Sequence, residues 1–358
     1  MEKVKKQRHP LRVILIIVLC LSVLGLNVYL LKDKIKFTGT PSTETWAATD
    51  AYDASKYVTM TKKNGGDFKI LQLADTQLSD AYKDIKRTFD IITQAIEATT
   101  PDLLMLTGDN VAGLLNGPKG YLLVSFLDSF EIPYAAVMGN HDGEGLYDIE
   151  KMGEVYASGK YSLFVKGPDS IHGTGNYGIN IADENGEIVY ALVMIDTNRY
   201  RTYEDGKNGY DYIYPDQIAW YEWYIKGVSE TVYGSYDPDG GKVVKSLLFH
   251  HIPLPEIDDI RSEIEGADAP KAADAFREDP CPPLLNTGMF AKVTALKSTT
   301  HTFFGHDHVN MINYEYQGVY FVYGAKTGPC SYYDADRQGT TLITIKNDLS
   351  IGVEFLLV

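Results

Sequence analysis

The sequence predicts an α/β fold in which two packed sheets are covered by helices, behind an N-terminal segment long enough to cross a membrane. Three observations carry that expectation. Short apolar runs alternate with segments of helical period. The positions richest in Asp, Asn and His fall where the apolar runs end, the place where α/β sheets gather ligands. Hydrophobic residues make up 44% of the 358, with 26 tyrosines, which suits a packed globular body rather than a disordered chain.

Residues 13–31, VILIIVLCLSVLGLNVYLL, are 19 uncharged and mainly apolar positions, close to the length of a transmembrane helix. Lys3, Lys5, Lys6, Arg8 and Arg12 precede the run and Lys32, Lys34 and Lys36 follow it. That balance favours residues 1–12 inside the cell and the remainder outside. A cleaved signal peptide, giving a secreted protein, competes with the anchor, but LNVYLLKDKIKF offers no A-x-A-like site. Lipidation of Cys20 is weaker still, because Leu19 precedes it. Cys281 and Cys330 are the other cysteines; they could pair in an oxidising compartment, although nothing in the sequence brings them together. Residues 32–65 read as a polar stalk and residues 66–358 as the domain.

Within the domain, FKILQLA (68–74) is a short apolar run ending at Asp75. Residues 81–100 have helical spacing through Ile85, Phe89, Ile92 and Ile96, closed by Pro101. DLLMLTGDN (102–110) and PYAAVMGNHDGEG (133–145) repeat the plan of a buried strand running into a polar loop, with a helix near 119–130 between them. GINIADENGEIVYALVMID (178–196) predicts a hairpin around Glu184-Asn185-Gly186, and residues 214–230 a helix with Pro near its start. Further strands are expected in VVKSLLFHHIP (243–253), TTHTFFGHDH (299–308), GVYFVYGAK (318–326) and the C-terminal residues 340–358.

A formal charge of −15 disfavours nonspecific attraction to phosphate backbones, so no nucleic-acid partner is expected. A phosphate-ester substrate would need a local positive charge, which a bound metal supplies. The strand-end loops hold a matching donor set: Asp75, Asp109, Asn140, His141 and Asp142, His250 and His251, then His306 and His308. One Asp at a strand end is ordinarily a cap or turn residue; five such loops are harder to dismiss. Carboxylate, amide and imidazole donors without thiolates suit two divalent ions drawn from Mn, Fe, Zn or Mg. Two ions about 3.5–4 Å apart can clamp both oxygens of an in-line phosphoryl displacement.

With TGDN, GNHD, NYGIN, DQIAWYEWY, HIPLPE and FGHDHVN in this order, residues 66–326 resemble the calcineurin-like metallophosphoesterases, and most closely the small purple-acid-phosphatase-like branch of plants, fungi and bacteria. The resemblance implies a four-layer α/β/β/α sandwich of two mixed sheets. It implies that Asp109 bridges two ions, that Asp75 and His308 hold the first, and that Asn140, His251 and His306 hold the second. His251 is preferred over His250 because the ligand precedes Pro253 by two residues; His250 then supports the site or faces the other side of its strand. The resemblance places His141 beside the phosphate, assisting the leaving oxygen, with Asp142 orienting its ring. Asn110 is a further candidate to support the ligands or touch substrate.

The family's first motif, D-x-H, is DTQ here, so Gln77 stands where a histidine would bind the first ion. Either Gln77 ligates through its carbonyl oxygen, directly or through water, or the first site is weakened and activity reduced. Ala112 occupies the position of the purple-type tyrosine, which argues against a tyrosinate-to-ferric centre. The expectation is a membrane-anchored, extracytoplasmic dinuclear phosphoesterase that uses a metal-activated hydroxide. The competing expectations are a catalytically silent binder of phosphorylated ligands, and a phosphodiesterase or nuclease of the same superfamily.

Overall fold

The apolar runs become strands at the expected places. The structure, a computed structural model, describes residues 46–62 and 66–358. The chain separates into two units, 1–39 and 40–358. The N-terminus (1–12) and the expected anchor (13–31) lie outside the described residues. Among the described residues no helix is long and apolar enough to cross a membrane.

The first strand, β1 (Val58–Thr61), falls within the stretch read from sequence as stalk. It pairs in parallel with β5 (Tyr177–Ala182), while Trp46, Tyr52 and Tyr57 pack against buried apolar residues. Residues 46–61 therefore belong to the folded body. Their polar composition masked this, because the strand is an edge whose side chains are largely exposed.

A five-stranded sheet runs β14-β13-β2-β3-β4, with β2 (Phe68–Leu73), β3 (Leu103–Thr107) and β4 (Tyr134–Val137) parallel. The C-terminal hairpin, β13 (Gly339–Ile345) and β14 (Ile351–Leu357), adds antiparallel to β2. The seven-stranded sheet runs β1-β5-β6-β9-β10-β12-β11, from β6 (Ile188–Met194), β9 (Lys245–Phe249), β10 (Thr299–Phe304), β11 (Asn313–Tyr316) and β12 (Val319–Tyr323) in addition to β1 and β5. The hairpin β7 (Tyr200–Thr202) and β8 (Asn208–Tyr210) stands apart as a two-stranded sheet. The predicted β5–β6 hairpin forms as an antiparallel pair.

Two-residue periodicity explains how one sheet serves two cores. Leu192 and Met194 of β6, Leu247 and Phe249 of β9, and Phe303 of β10 join Ile70, Leu71, Leu104 and Ile343 of the other sheet in one core. Their neighbours Ala191, Val193, Leu248 and Phe304 point into a second core. The first core also takes residues of α1 (Tyr82–Thr99), α2 (Asn116–Asp128) and α3 (Ile149–Ala157). The second is closed by α4 (Pro215–Tyr233), α5 (Ile257–Ala267), α6 (Ala269–Ala275) and α7 (Met289–Leu296).

Helix ends follow local chemistry. α1 stops where Thr100 turns left-handed at φ 46° ahead of Pro101. α4 begins with Pro215 at its first position and a Gln217 side chain accepting from the Tyr214 amide at 2.8 Å, then ends at Gly234 with φ 71°.

Candidate metal centre

The ends of five strands, three in one sheet and two in the other, carry the predicted residues. Asp75 and Gln77 follow β2, Asp109 and Asn110 follow β3, and Asn140, His141 and Asp142 follow β4. His250 and His251 follow β9, while His306 and His308 follow β10. Four of these residues have left-handed backbone: Asp75 (φ 51°), Gln77 (φ 37°), Asp109 (φ 49°) and His306 (φ 83°). Each costs on the order of 1–3 kcal/mol, so the surroundings must hold them there. The Gln77 amide donates to Asp109 O at 2.8 Å, and the His306 amide donates to the Asp75 carboxylate at 3.0 Å. Gly108, at φ 88°, admits the His251 ring; a Cβ there would lie 2.5 Å from that ring.

The second-ion donors converge. His251 Nδ1 donates to Thr107 O at 2.9 Å, which fixes the ring and turns Nε2 into the site. That Nε2 lies 3.3 Å from Asp109 Oδ1, 3.2 Å from Asn140 Oδ1 and 3.3 Å from His306 Nδ1. Asn140 presents its oxygen because its Nδ2 donates to the Tyr200 hydroxyl at 2.8 Å. His306 Nε2 is buried without a partner. Lone pairs facing one another across about 3 Å repel unless a proton or cation lies among them. This donor set fits a divalent metal.

The charges agree with that fit. Burial opposes charging of His251, yet Asp109 and Asp75 outweigh it and lift the imidazole to about 10. Burial works against ionised Asp109 as well, and His251 and His141 nonetheless hold it far below the usual carboxylate range. To hold a metal here, His251 would give up its Nε2 proton. Burial lowers His306 to about 3 and His308 to about 2, which keeps both neutral and able to ligate.

The first-ion donors are altered. His308 Nδ1 donates to Tyr332 O at 3.1 Å, and its Nε2 lies 3.6 Å from Asp75 Oδ1. Asp75, Asp109 and His251 each offer an atom within 4.8 Å of the others. Gln77, expected as a ligand, is engaged elsewhere: its Oε1 accepts from Lys326 Nζ at 2.9 Å and its Nε2 donates to Asp109 Oδ2 at 3.3 Å. An ammonium demands the oxygen and a carboxylate the nitrogen, so the amide has one sensible orientation. Lys326 is buried, and burial draws its pKa down to about 8 against the pull of Asp75 and Asp109. The sequence reading missed Lys326; its signal was a lysine ending the apolar run GVYFVYGAK, beside Asp75 only in the folded sheet.

One further expectation is corrected, and the two alternatives for His250 are resolved. Asp142 does not orient His141. Its carboxylate accepts from the amides of Asn110 (3.0 Å), Val111 (3.1 Å) and Gly139 (2.8 Å) and from the Tyr156 hydroxyl (2.6 Å), bracing two loops from beneath. Glu144 holds the ring instead, with Oε2 at 2.5 Å from His141 Nδ1. The signal for it was an acid three residues after the histidine. His250 turns to the opposite side of its strand, where Nδ1 donates to Ile252 O at 2.8 Å, Nε2 meets Thr302 Oγ1 at 2.5 Å, and the ring stacks on Phe304. It touches no site residue, as strand parity requires. Asn110 is fully buried and donates to Val137 O and Asp142, so it supports the loops. Cys281 and Cys330 are both free thiols.

Comparison with known proteins places the chain in a family. The profile described as Calcineurin-like phosphoesterase matches residues 68–310. Probable inactive purple acid phosphatase 14 of Arabidopsis thaliana is 28% identical over 295 residues, covering 75% of this chain and 72% of its own. Phosphatase DCR2 of Saccharomyces cerevisiae is 30% identical over 268 residues, covering 68% of this chain and 44% of its own. Among solved structures, GAP50, described as the anchor in the inner membrane complex of Plasmodium, aligns with a TM-score of 0.50 at 14% identity, over 82% of this chain and 85% of that one, a likeness of fold. The profile spans more than half of the chain and includes every loop that supplies a donor, so the chain belongs to the calcineurin-like phosphoesterase family.

Proposed function

We propose that this protein is a metal-dependent phosphoesterase, hydrolysing phosphate esters on the outer side of a membrane to which residues 13–31 anchor it. The observation that carries the reading is the convergence of Asp109, Asn140, His251 and His306 on one point, with His141 beside it at the surface. A divalent ion held there supplies Lewis acidity toward water and toward phosphoryl oxygens.

The chain's own groups do the remainder. His141 is 36% exposed, and its Nε2 lies 3.8 Å from Asp109 Oδ2, so the ring borders the donor cluster and can reach a substrate. Glu144 holds the ring through Nδ1, which leaves Nε2 turned to the donor cluster, where it can hydrogen-bond the departing oxygen. The His141 amide donates to Asp109 Oδ1 at 2.8 Å, which ties the loop carrying His141 to the loop carrying Asp109. Tyr200 and Tyr210 of the β7–β8 hairpin lie over the second-ion donors, with the Tyr210 and His306 ring centroids 4.3 Å apart, and shield them from water.

The test is hydrolysis of an aryl phosphate by the metal-loaded chain. His141→Ala should lower kcat/KM by roughly 10²- to 10⁴-fold with metal content unchanged. Full activity in His141→Ala sinks the role of that residue, and full activity after complete metal removal sinks the whole reading. The relatives named "probable inactive" and the engaged Gln77 favour one alternative: a domain that binds phosphorylated ligands without turnover. Tight inorganic phosphate binding with no hydrolysis of mono- or diesters would establish it.

A further inference from the structure

We infer that Lys326, paired with Gln77 beside the first cation position, supplies the positive charge there, so that the chain carries a single metal ion on Asp109, Asn140, His251 and His306. The inference rests on the metal-dependent reading and narrows it from two ions to one.

Lys326 Nζ donates to Gln77 Oε1 at 2.9 Å and to Asp75 O at 3.3 Å, and Gln77 Nε2 passes the contact on to Asp109 Oδ2 at 3.3 Å. The relay engages the carbonyl oxygen, which is the one atom of Gln77 suited to a metal; the amide nitrogen has no available lone pair. Where the family's pattern places an imidazole aimed at an ion, this chain places a cation of its own. Asp75 Oδ1 and His308 Nε2 lie 3.6 Å apart beside that cation.

Lys326 is fixed in that position. It is 2% exposed. Its main chain bridges to Ala74, the Thr327 amide donates to Ala74 O at 2.8 Å, and the Gly328 amide donates to Asp75 O at 3.1 Å. From the other side the Gly339 amide donates to Lys326 O at 2.9 Å. Approach at Gly328 is close enough that a Cβ would lie 1.9 Å from Thr76 O, so only glycine permits it. The main chain of Lys326 is thus held along both edges, and its buried ammonium keeps its place through Gln77 Oε1 and Asp75 O.

Charge balance points the same way. Asp75 and Asp109 are the buried carboxylates facing this position. One divalent ion and one ammonium already exceed their negative charge. A second divalent ion would add repulsion against both cations in a water-poor site.

The experiment is Mn(II) loading of the full chain in detergent, followed by metal analysis and electron paramagnetic resonance. The wild type should bind about one ion per chain and show the signal of an isolated Mn(II). Gln77→His combined with Lys326→Ala should bind about two and show an exchange-coupled signal. About two coupled ions in the wild type overturns this inference alone. Binding of none overturns the metal-dependent reading with it. A folded double variant that stays at one ion shows that Lys326 and Gln77 are not what keeps the second ion out, and overturns the inference. Wild-type stoichiometry decides the matter even if the double variant fails to fold.

Discussion

Glu144 gives His141 an acceptor for Nδ1–H at the rim of the donor cluster, and this contact makes a prediction at the scale of one residue. Glu144→Gln keeps size but replaces the charged acceptor of Nδ1–H with a neutral amide that can also present its NH₂, so the ring is held less firmly. Its kcat should fall roughly tenfold while metal content stays constant, measured by steady-state hydrolysis beside metal analysis. Asp142 contrasts with it. Four partners converge on a fully buried carboxylate, so Asp142→Asn turns an amide NH₂ toward groups that are themselves donors. Loss of roughly 2–4 kcal/mol is expected in urea unfolding of the metal-free protein, where a catalytic role would leave stability untouched. The sequence pattern suggested the reverse, because spacing along a loop does not say which carboxylate turns inward.

At the scale of elements, strand ends fix the donors by parity and by close approach. Gly108 lets the loop after β3 meet the His251 ring that follows β9. Gly108→Ala combines a left-handed backbone with a Cβ 2.5 Å from an imidazole, and should destabilise by at least about 2 kcal/mol while weakening metal affinity, read by urea midpoint and metal titration. Parity places His250 on the far face of β9, neutral, with burial holding its pKa down to about 4. A folded pKa below the unfolded one means that stability is fully present above about 6.5 and is lost as pH falls toward about 4. His250→Asn should remove that slope, a difference of roughly 3 kcal/mol between wild type and variant across the window. Comparison of the two chains is needed because burial raises Asp142 and Asp196 to about 6, which changes stability in the opposite direction over neighbouring pH.

For the whole molecule, residues 46–62 are part of the fold. Tyr52 stacks on Tyr57 at 5.1 Å between centroids, both meet Tyr224, and Trp46 meets Trp223 at 6.0 Å. A chain beginning at Gly66 should therefore lose roughly 3 kcal/mol or more relative to one beginning at Trp46, seen as a lower Tm with the metal donors unchanged. The two sheets were legible beforehand because apolar runs of strand length ended in polar loops. The edge strand β1 was not, because an exposed strand lacks the alternation that marks a buried one.

Residue order by itself determined the family likeness, the five donor loops and their attachment to strand ends, since each motif is local and each strand reads from its own period. It also exposed Gln77 as a departure. Tertiary structure alone decided what the departure means. Lys326 lies 249 positions from Gln77 along the chain, and only the pairing of β10 with β12 and the bridge to Ala74 brings its ammonium to the amide oxygen. The exchange of Asp142 for Glu144 beside His141 has the same origin. Ligand identity follows from residue type, whereas charge balance at a site depends on side chains that the fold brings together from distant segments.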